Sequence, residues 1–166
     1  DDEQTEAMRH VLDAGSLKIL EGRAGTGKSH TLSAIRQAAE RDGYSVVGLA
    51  PTNAVAQDLR DSGFERATTV HSLLWYRDHA PDHGNAQIVK KSLIIVDEAA
   101  MLDTQRLDAL TQLATDTGAK LVLVGDDRQL ASIERGGVFT AIREKTGSTA
   151  LTTVRRQHHD WAKQAS

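Results

Sequence analysis

The sequence predicts a three-layer α/β domain built on a mostly parallel sheet, and three observations lead to that reading. Short apolar runs alternate with stretches of helical periodicity along the chain. Two of the runs, Leu93-Ile94-Ile95-Val96 and Leu121-Val122-Leu123-Val124, are apolar at every position, as strands covered on both faces are, whereas a strand with one face in water alternates. Strand–helix–strand alternation also closes through right-handed crossovers, which lay helices on both faces of the sheet.

Each element carries its own signal. Strands are expected over residues 16–21, 44–50, 92–97 and 120–125, all rich in Val, Ile or Leu. Residues 28–41 place Leu32, Ile35 and Ala39 on one helical face, and residues 52–61 do the same with Val55, Ala56 and Leu59. Residues 103–115 open at Asp103, a capping aspartate, and carry Leu107, Leu110 and Ala114 at helical spacing. Gly43 and Gly118 stand where helix C-termini stop. Residues 77–91 are polar, contain Pro81 and Gly84, and read as a surface excursion. Just before them, Leu73-Leu74-Trp75-Tyr76 falls on a short helix. Core packing is the expectation for Trp75 there, ahead of a role as a stacking platform for unpaired bases. His79 and His83 have the spacing of a helical metal pair, but Pro81 between them disfavours the helix, so a solvated loop is expected. His158 and His159 read as an exposed polar end.

Composition narrows the class. The 166 residues suit one domain spanning 1–166, and 39% hydrophobic with 26% charged residues describes a globular chain rather than a disordered or fibrous one. No apolar run approaches the ~20 residues that span a bilayer, so no membrane partner is expected. The absence of cysteine removes disulfides and thiolate metal sites and fits a cytoplasmic setting. A net charge of −3 argues against a protein that coats DNA indiscriminately, so any nucleic-acid contact is expected to be local. The chain opens at Asp1 and stops at Ser166 inside a polar segment, and it is expected to be a piece of a larger protein.

The run Gly22-Arg23-Ala24-Gly25-Thr26-Gly27-Lys28-Ser29 fits the P-loop pattern in full. Its glycines let successive backbone N–H groups curl toward phosphates, and the following helix offers them its positive N-terminus. Lys28 is expected to place an ammonium on the terminal phosphates of ATP, and the Ser29 hydroxyl is a hard oxygen donor suited to Mg²⁺. The expected nucleotide contacts run on to His30. A glycine-rich turn that happens to precede a helix is the plainer alternative, and the strand before and helix after the motif argue against it.

Leu93-Ile94-Ile95-Val96 ends in two carboxylates, Asp97 and Glu98. Ligand crevices in parallel sheets lie at the carboxyl ends of the strands, so this tip is expected beside the P-loop. Asp97 then serves Mg²⁺ with Ser29, and Glu98 orients and deprotonates an attacking water. An ordinary Asp-Glu turn is the alternative, weakened by the presence of the P-loop.

The remaining motifs carry a family resemblance. Leu123-Val124-Gly125-Asp126-Asp127-Arg128-Gln129-Leu130 resembles helicase motif III, Gly48-Leu49-Ala50-Pro51-Thr52-Asn53-Ala54 resembles motif Ia, and Ala67-Thr68-Thr69-Val70-His71 resembles the Thr-x-His segment called Ib. Leu151-Thr152-Thr153-Val154-Arg155-Arg156-Gln157 resembles motif IV, and Gln4 sits upstream of the P-loop where an adenine-reading glutamine is kept. Together they resemble the RecD-like branch of superfamily-1 DNA helicases, and within it the helicase part of TraA-type conjugative relaxases, from about Gln4 to Gln157. The resemblance implies a RecA-like P-loop NTPase fold, motor domain 1A. It further implies that Gln129 senses the γ-phosphate and that Arg156 reaches it, beside Lys28, Asp97 and Glu98 in catalysis. Thr52, Asn53, Thr69 and His71 are the expected contacts to single-stranded DNA, though helix capping explains one or two of them equally well and does not exclude phosphate binding.

Two positions depart from the family pattern. Asp127 stands where proline commonly follows Gly-Asp, and Ala100 stands where serine or glycine is common; neither removes a catalytic group. The implied activity is ATP hydrolysis coupled to 5′-to-3′ translocation on single-stranded DNA, with a second RecA-like motor domain of the same chain as partner. Two other readings stay open: a nucleotide-gated DNA-binding module without useful hydrolysis, and a P-loop kinase. The kinase leaves motifs Ia, Ib and III unexplained.

Overall fold

The computed structural model describes residues 17–21, 28–125 and 152–154. Six strands, β1 (Leu17–Glu21), β2 (Ser45–Ala50), β3 (Ala67–Thr69), β4 (Ser92–Val96), β5 (Lys120–Gly125) and β6 (Thr152–Val154), form one sheet in the order β3-β2-β4-β5-β1-β6. Every pairing among them is parallel. Among the described residues four helices connect them: α1 (Lys28–Arg41), α2 (Asn53–Asp61), α3 (Val70–His79) and α4 (Thr104–Thr117).

Two apolar clusters, one on each face of the sheet, explain the continuous apolar strands. Val47, Leu49, Ile94, Val96, Leu121 and Leu123 point to one face, where Val70 and Leu73 of α3 and Leu107, Leu110 and Ala114 of α4 cover them. Their alternates Leu93, Ile95, Val122 and Val124 point to the other, against Leu32, Ile35 and Ala39 of α1 and Ala56 and Leu59 of α2. Successive strand residues alternate faces, so a strand buried on both sides is apolar nearly throughout; the buried Ser92 that opens β4 has a partner, its Oγ accepting from Val89 N at 3.0 Å. The three-layer α/β expectation is met.

Element ends follow from caps. Thr52 Oγ1 accepts from Val55 N at 3.3 Å, Thr69 Oγ1 from Ser72 N at 3.1 Å and Asp103 Oδ1 from Arg106 N at 2.8 Å, starting α2, α3 and α4. Gly118 closes α4 with φ 75°, a left-handed turn that favours glycine. Gly48 serves a different need, because a Cβ there would lie 3.0 Å from Phe64 Cδ1 and 3.2 Å from Leu59 Cδ1.

Three differences from the sequence reading have physical causes. Strands β3 and β6 are three residues each and largely polar, too short for periodicity to register. The excursion over 77–91 is partly ordered: α3 runs through His79, and a 3-10 turn at Gly84–Ala86 is capped by His83. Trp75 is not core but 46% exposed. The inward face of α3 is filled by Val70 and Leu73, and two residues past Leu73 is about 200° round the helix. No helix among the described residues is long and apolar enough to cross a membrane.

Candidate functional site

A parallel sheet puts the carboxyl ends of all its strands on one edge. In spatial order that edge carries Thr69 of β3, Ala50 of β2, Val96 of β4, Gly125 of β5, Glu21 of β1 and Val154 of β6. The register keeps these ends level, with Ala50 opposite Thr69, Leu49 opposite Val96 and Glu21 opposite Gly125. Described strand ends far apart in sequence therefore line one rim.

At the centre of the rim one ammonium meets two carboxylates. Lys28 Nζ, at the start of α1, lies 2.8 Å from Asp97 Oδ1 and 2.9 Å from Glu98 Oε1. Asp97 is only 6% exposed. Its N–H donates to Leu49 O at 2.8 Å, which extends the β2–β4 ladder one residue past the strand, and its Oδ1 accepts from Glu98 N at 2.8 Å.

Successive side chains on a strand point to opposite faces, so Asp97 and Glu98 reach the same ammonium only if the chain turns between them. Glu98 supplies that turn, with φ 50° and ψ 42°. It is the non-glycine residue with positive φ among the described residues, and such a conformation costs on the order of 1–3 kcal/mol. The strand tip thus stores strain at the place where its carboxylate is aimed.

Burial alone would lower the Lys28 pKa, but hydrogen bonds to Asp97 and Glu98, and their charges, outweigh it and hold the group above its ordinary 10.5. The ammonium is therefore charged at neutral pH, as a phosphate-binding lysine must be. Among the described residues no group of three or more His, Asp or Glu side chains could hold a metal by itself. A buried carboxylate at Asp97 with the exposed hydroxyl-bearing Ser29 beside Lys28 suits magnesium, which binds through one or two carboxylates plus phosphate oxygens rather than an all-protein cage.

The expected DNA contacts lie on the same rim, one and two strands away from Asp97. Thr52 and Asn53 follow β2 and are exposed; Thr69 ends β3 and His71 is exposed in the first turn of α3. Both threonines are helix caps. A capping hydroxyl oxygen accepts from the backbone and keeps its O–H free to donate, so capping leaves phosphate binding possible. His30 is exposed in the first turn of α1. Gln4, Gly22, Arg23, Ala24, Gly25, Thr26, Gly27, Gln129 and Arg156 lie outside the described residues, as do His158 and His159.

His79 and His83 each have partners of their own. His79 Nδ1 is 2.9 Å from Trp75 O, and His83 Nδ1 accepts from Asn85 N at 3.1 Å. The left-handed turn at Glu98 was not legible in the sequence, because positive φ is signalled by Gly or Asn and neither is present. The exposure of Trp75 was legible: the Leu73 spacing implied it.

Comparison with known proteins places the chain. The family described as "AAA domain" matches residues 1–166. The chain is 38% identical over 167 residues to a probable conjugal transfer protein TraA of Sinorhizobium fredii, covering 99% of this chain and 15% of that protein. It is 37% identical over 157 residues to the ATP-dependent RecD2 DNA helicase of Deinococcus radiodurans, covering 92% of this chain and 22% of that one. It is 31% identical over 183 residues to the RecBCD enzyme subunit RecD of Mycolicibacterium smegmatis, covering 95% and 33%. The chain thus spans a third or less of the length of these relatives.

Proposed function

This chain belongs to the AAA domain family, with conjugal transfer TraA proteins and RecD helicases among its relatives, and on that premise we propose that it is the ATP-binding motor domain of a DNA helicase. It couples ATP hydrolysis to translocation on single-stranded DNA, within a cytoplasmic conjugative relaxase-helicase. The observation that supports this best is the meeting of Lys28 with Asp97 and Glu98 on the rim that also carries Thr52 and Thr69.

The roles follow from the chemistry. Lys28 holds the terminal phosphates of ATP, with the Gly22–Gly27 backbone around them. Ser29 and Asp97 would hold Mg²⁺, which would neutralise charge on the phosphates. Glu98 accepts a proton from the water whose oxygen attacks the γ-phosphorus as the bond to the ADP oxygen breaks. Phosphate oxygens compete with Glu98 for the Lys28 ammonium. Nucleotide binding therefore draws Lys28 away from Glu98 and frees the base when its substrate is in place. Gln129 and Arg156 report on the γ-phosphate, Gln4 reads adenine, and the second motor domain completes the site.

The spatial order of the rim supports the coupling. Asp97, Glu98 and Lys28 belong to the β4–β5–β1 half, and the DNA residues belong to the neighbouring β2–β3 half, about 5–10 Å along the edge at the usual strand spacing. The test is strand displacement by the full-length protein on duplexes with one single-stranded tail. ATP-dependent unwinding of the 5′-tailed substrate is expected; ATP turnover without displacement or movement on either tail would contradict the motor reading.

A further inference from the structure

Four rings gather where α3 ends, outside the site described above. Trp75 and His79 stack with centroids 4.6 Å apart and planes 10° from parallel. Tyr76 and His83 stack at 4.5 Å and 21°, and Trp75 meets Tyr76 edge-on at 5.2 Å and 90°. The contacts of His79 Nδ1 with Trp75 O and of His83 Nδ1 with Asn85 N fix both imidazoles. Even so, the indole stays exposed.

A lone exposed apolar side chain is ordinary and calls for no function. This one is held in place by a stacked ring and an edge-on ring, yet it is not buried. Its direction is also specific. His71, Trp75 and His79 recur every four residues, all exposed, and so form one stripe along α3 with about 6 Å between steps. The stripe begins at His71, two residues from the Thr69 cap on the rim. The acid on this side of the helix, Asp78, is paired with Arg77 Nε at 3.0 Å, which tempers its repulsion of an approaching anion.

We propose that the Trp75–His79 stack is a platform for an unpaired base of single-stranded DNA, and that the stripe from His71 carries the strand's bases away from the rim that holds its phosphates. The proposal rests on the reading of the chain as a single-strand DNA motor and adds a base-contacting surface to it. An exposed indole face accepts any base, because every base has a π face, and so it suits a motor that must not read sequence. A ring already fixed by its neighbour loses little freedom when a base lands on it. Duplex DNA is excluded, since its base faces are already stacked.

The experiment measures anisotropy of two labelled probes on the full-length protein: oligothymidine, and an all-abasic oligonucleotide of equal length that has the phosphates but no bases. Trp75→Ala is expected to weaken oligothymidine binding by about 5- to 150-fold, the range for one base–aromatic stack, and to leave abasic binding unchanged. Trp75→Phe should retain most of the affinity, and His79→Leu, which removes the supporting ring, should fall between. Unchanged oligothymidine affinity in Trp75→Ala, or an equal loss for both probes, overturns the platform while leaving the motor reading intact. Should Trp75→Ala not fold, His79→Leu and Trp75→Phe decide by the same two probes. A wild-type protein that binds neither probe refutes the motor reading itself, and the platform with it.

Discussion

Asp97 holds Lys28 through the same oxygen that fixes the next residue. Its Oδ1 is 2.8 Å from Lys28 Nζ and accepts from Glu98 N at 2.8 Å. One carboxylate therefore positions both the Lys28 ammonium and the strained turn that aims Glu98. Its removal should be felt at both.

Asp97→Ala is expected to weaken nucleotide binding mainly when magnesium is present, because the variant loses the carboxylate proposed to hold the metal while Lys28 persists. Calorimetry with ADP in magnesium and in EDTA measures this. The affinity ratio between the two conditions should shrink relative to wild type; an unchanged ratio assigns Asp97 a structural role only.

Glu98→Gln tests the base. It keeps the size of the side chain and a hydrogen-bonding oxygen but cannot take a proton, so MgATP affinity should survive while turnover falls by about 10²-fold or more. Steady-state hydrolysis at the wild-type rate is the outcome that removes Glu98 from the chemistry.

Much of this was legible in the sequence, for a physical reason. Leu93–Val96 and Leu121–Val124 announce a doubly covered sheet because burial on both faces leaves few polar positions, and α1, α2 and α4 announce themselves by apolar spacing and by caps at Thr52 and Asp103. The meeting of the acidic strand tip with Lys28 was legible because the carboxyl ends of parallel strands share one edge; Gly22–Gly27 lie outside the described residues. The left-handed turn at Glu98 was not, since it is imposed by the tertiary need to bring two carboxylates onto one lysine. Nor was the short strand β3, whose Ala-Thr-Thr sequence pairs with β2 by register rather than by hydrophobicity. Trp75 is exposed for another reason: following Leu73-Leu74 in sequence does not bring it to the inward face, because helical phase turns it outward.

Packing beneath the rim makes a separate prediction. Gly48 lets α2 and Phe64 approach β2, and an added Cβ would come within 3.0 Å of Phe64 and 3.2 Å of Leu59. Gly48→Ala should cost about 1–3 kcal/mol, the range for overpacking a filled core. Urea denaturation should show a lower midpoint with the slope unchanged; no shift in midpoint would mean that the core around Phe64 yields freely.

The DNA half of the rim is tested by pairing Thr52→Ala with His71→Ala and comparing Thr52→Ser. Loss of the cap alone should cost stability of about 0.5–2 kcal/mol, and serine should restore it. If Thr52 and His71 also hold phosphates, the double alanine variant should bind single-stranded DNA more weakly and with a shallower salt slope. Equal binding by wild type and double variant leaves these residues with capping alone.

The most direct measurement is the rate of ATP hydrolysis by the full-length protein with and without single-stranded DNA, in wild type and in Lys28→Ala. The variant removes the ammonium that Asp97 and Glu98 hold and should lose about 2–4 kcal/mol of phosphate binding. The expected result is hydrolysis stimulated by single strands in the wild type and nearly abolished in the variant. Hydrolysis indifferent to DNA, or surviving Lys28→Ala, contradicts the account of this chain as an ATP-driven DNA motor.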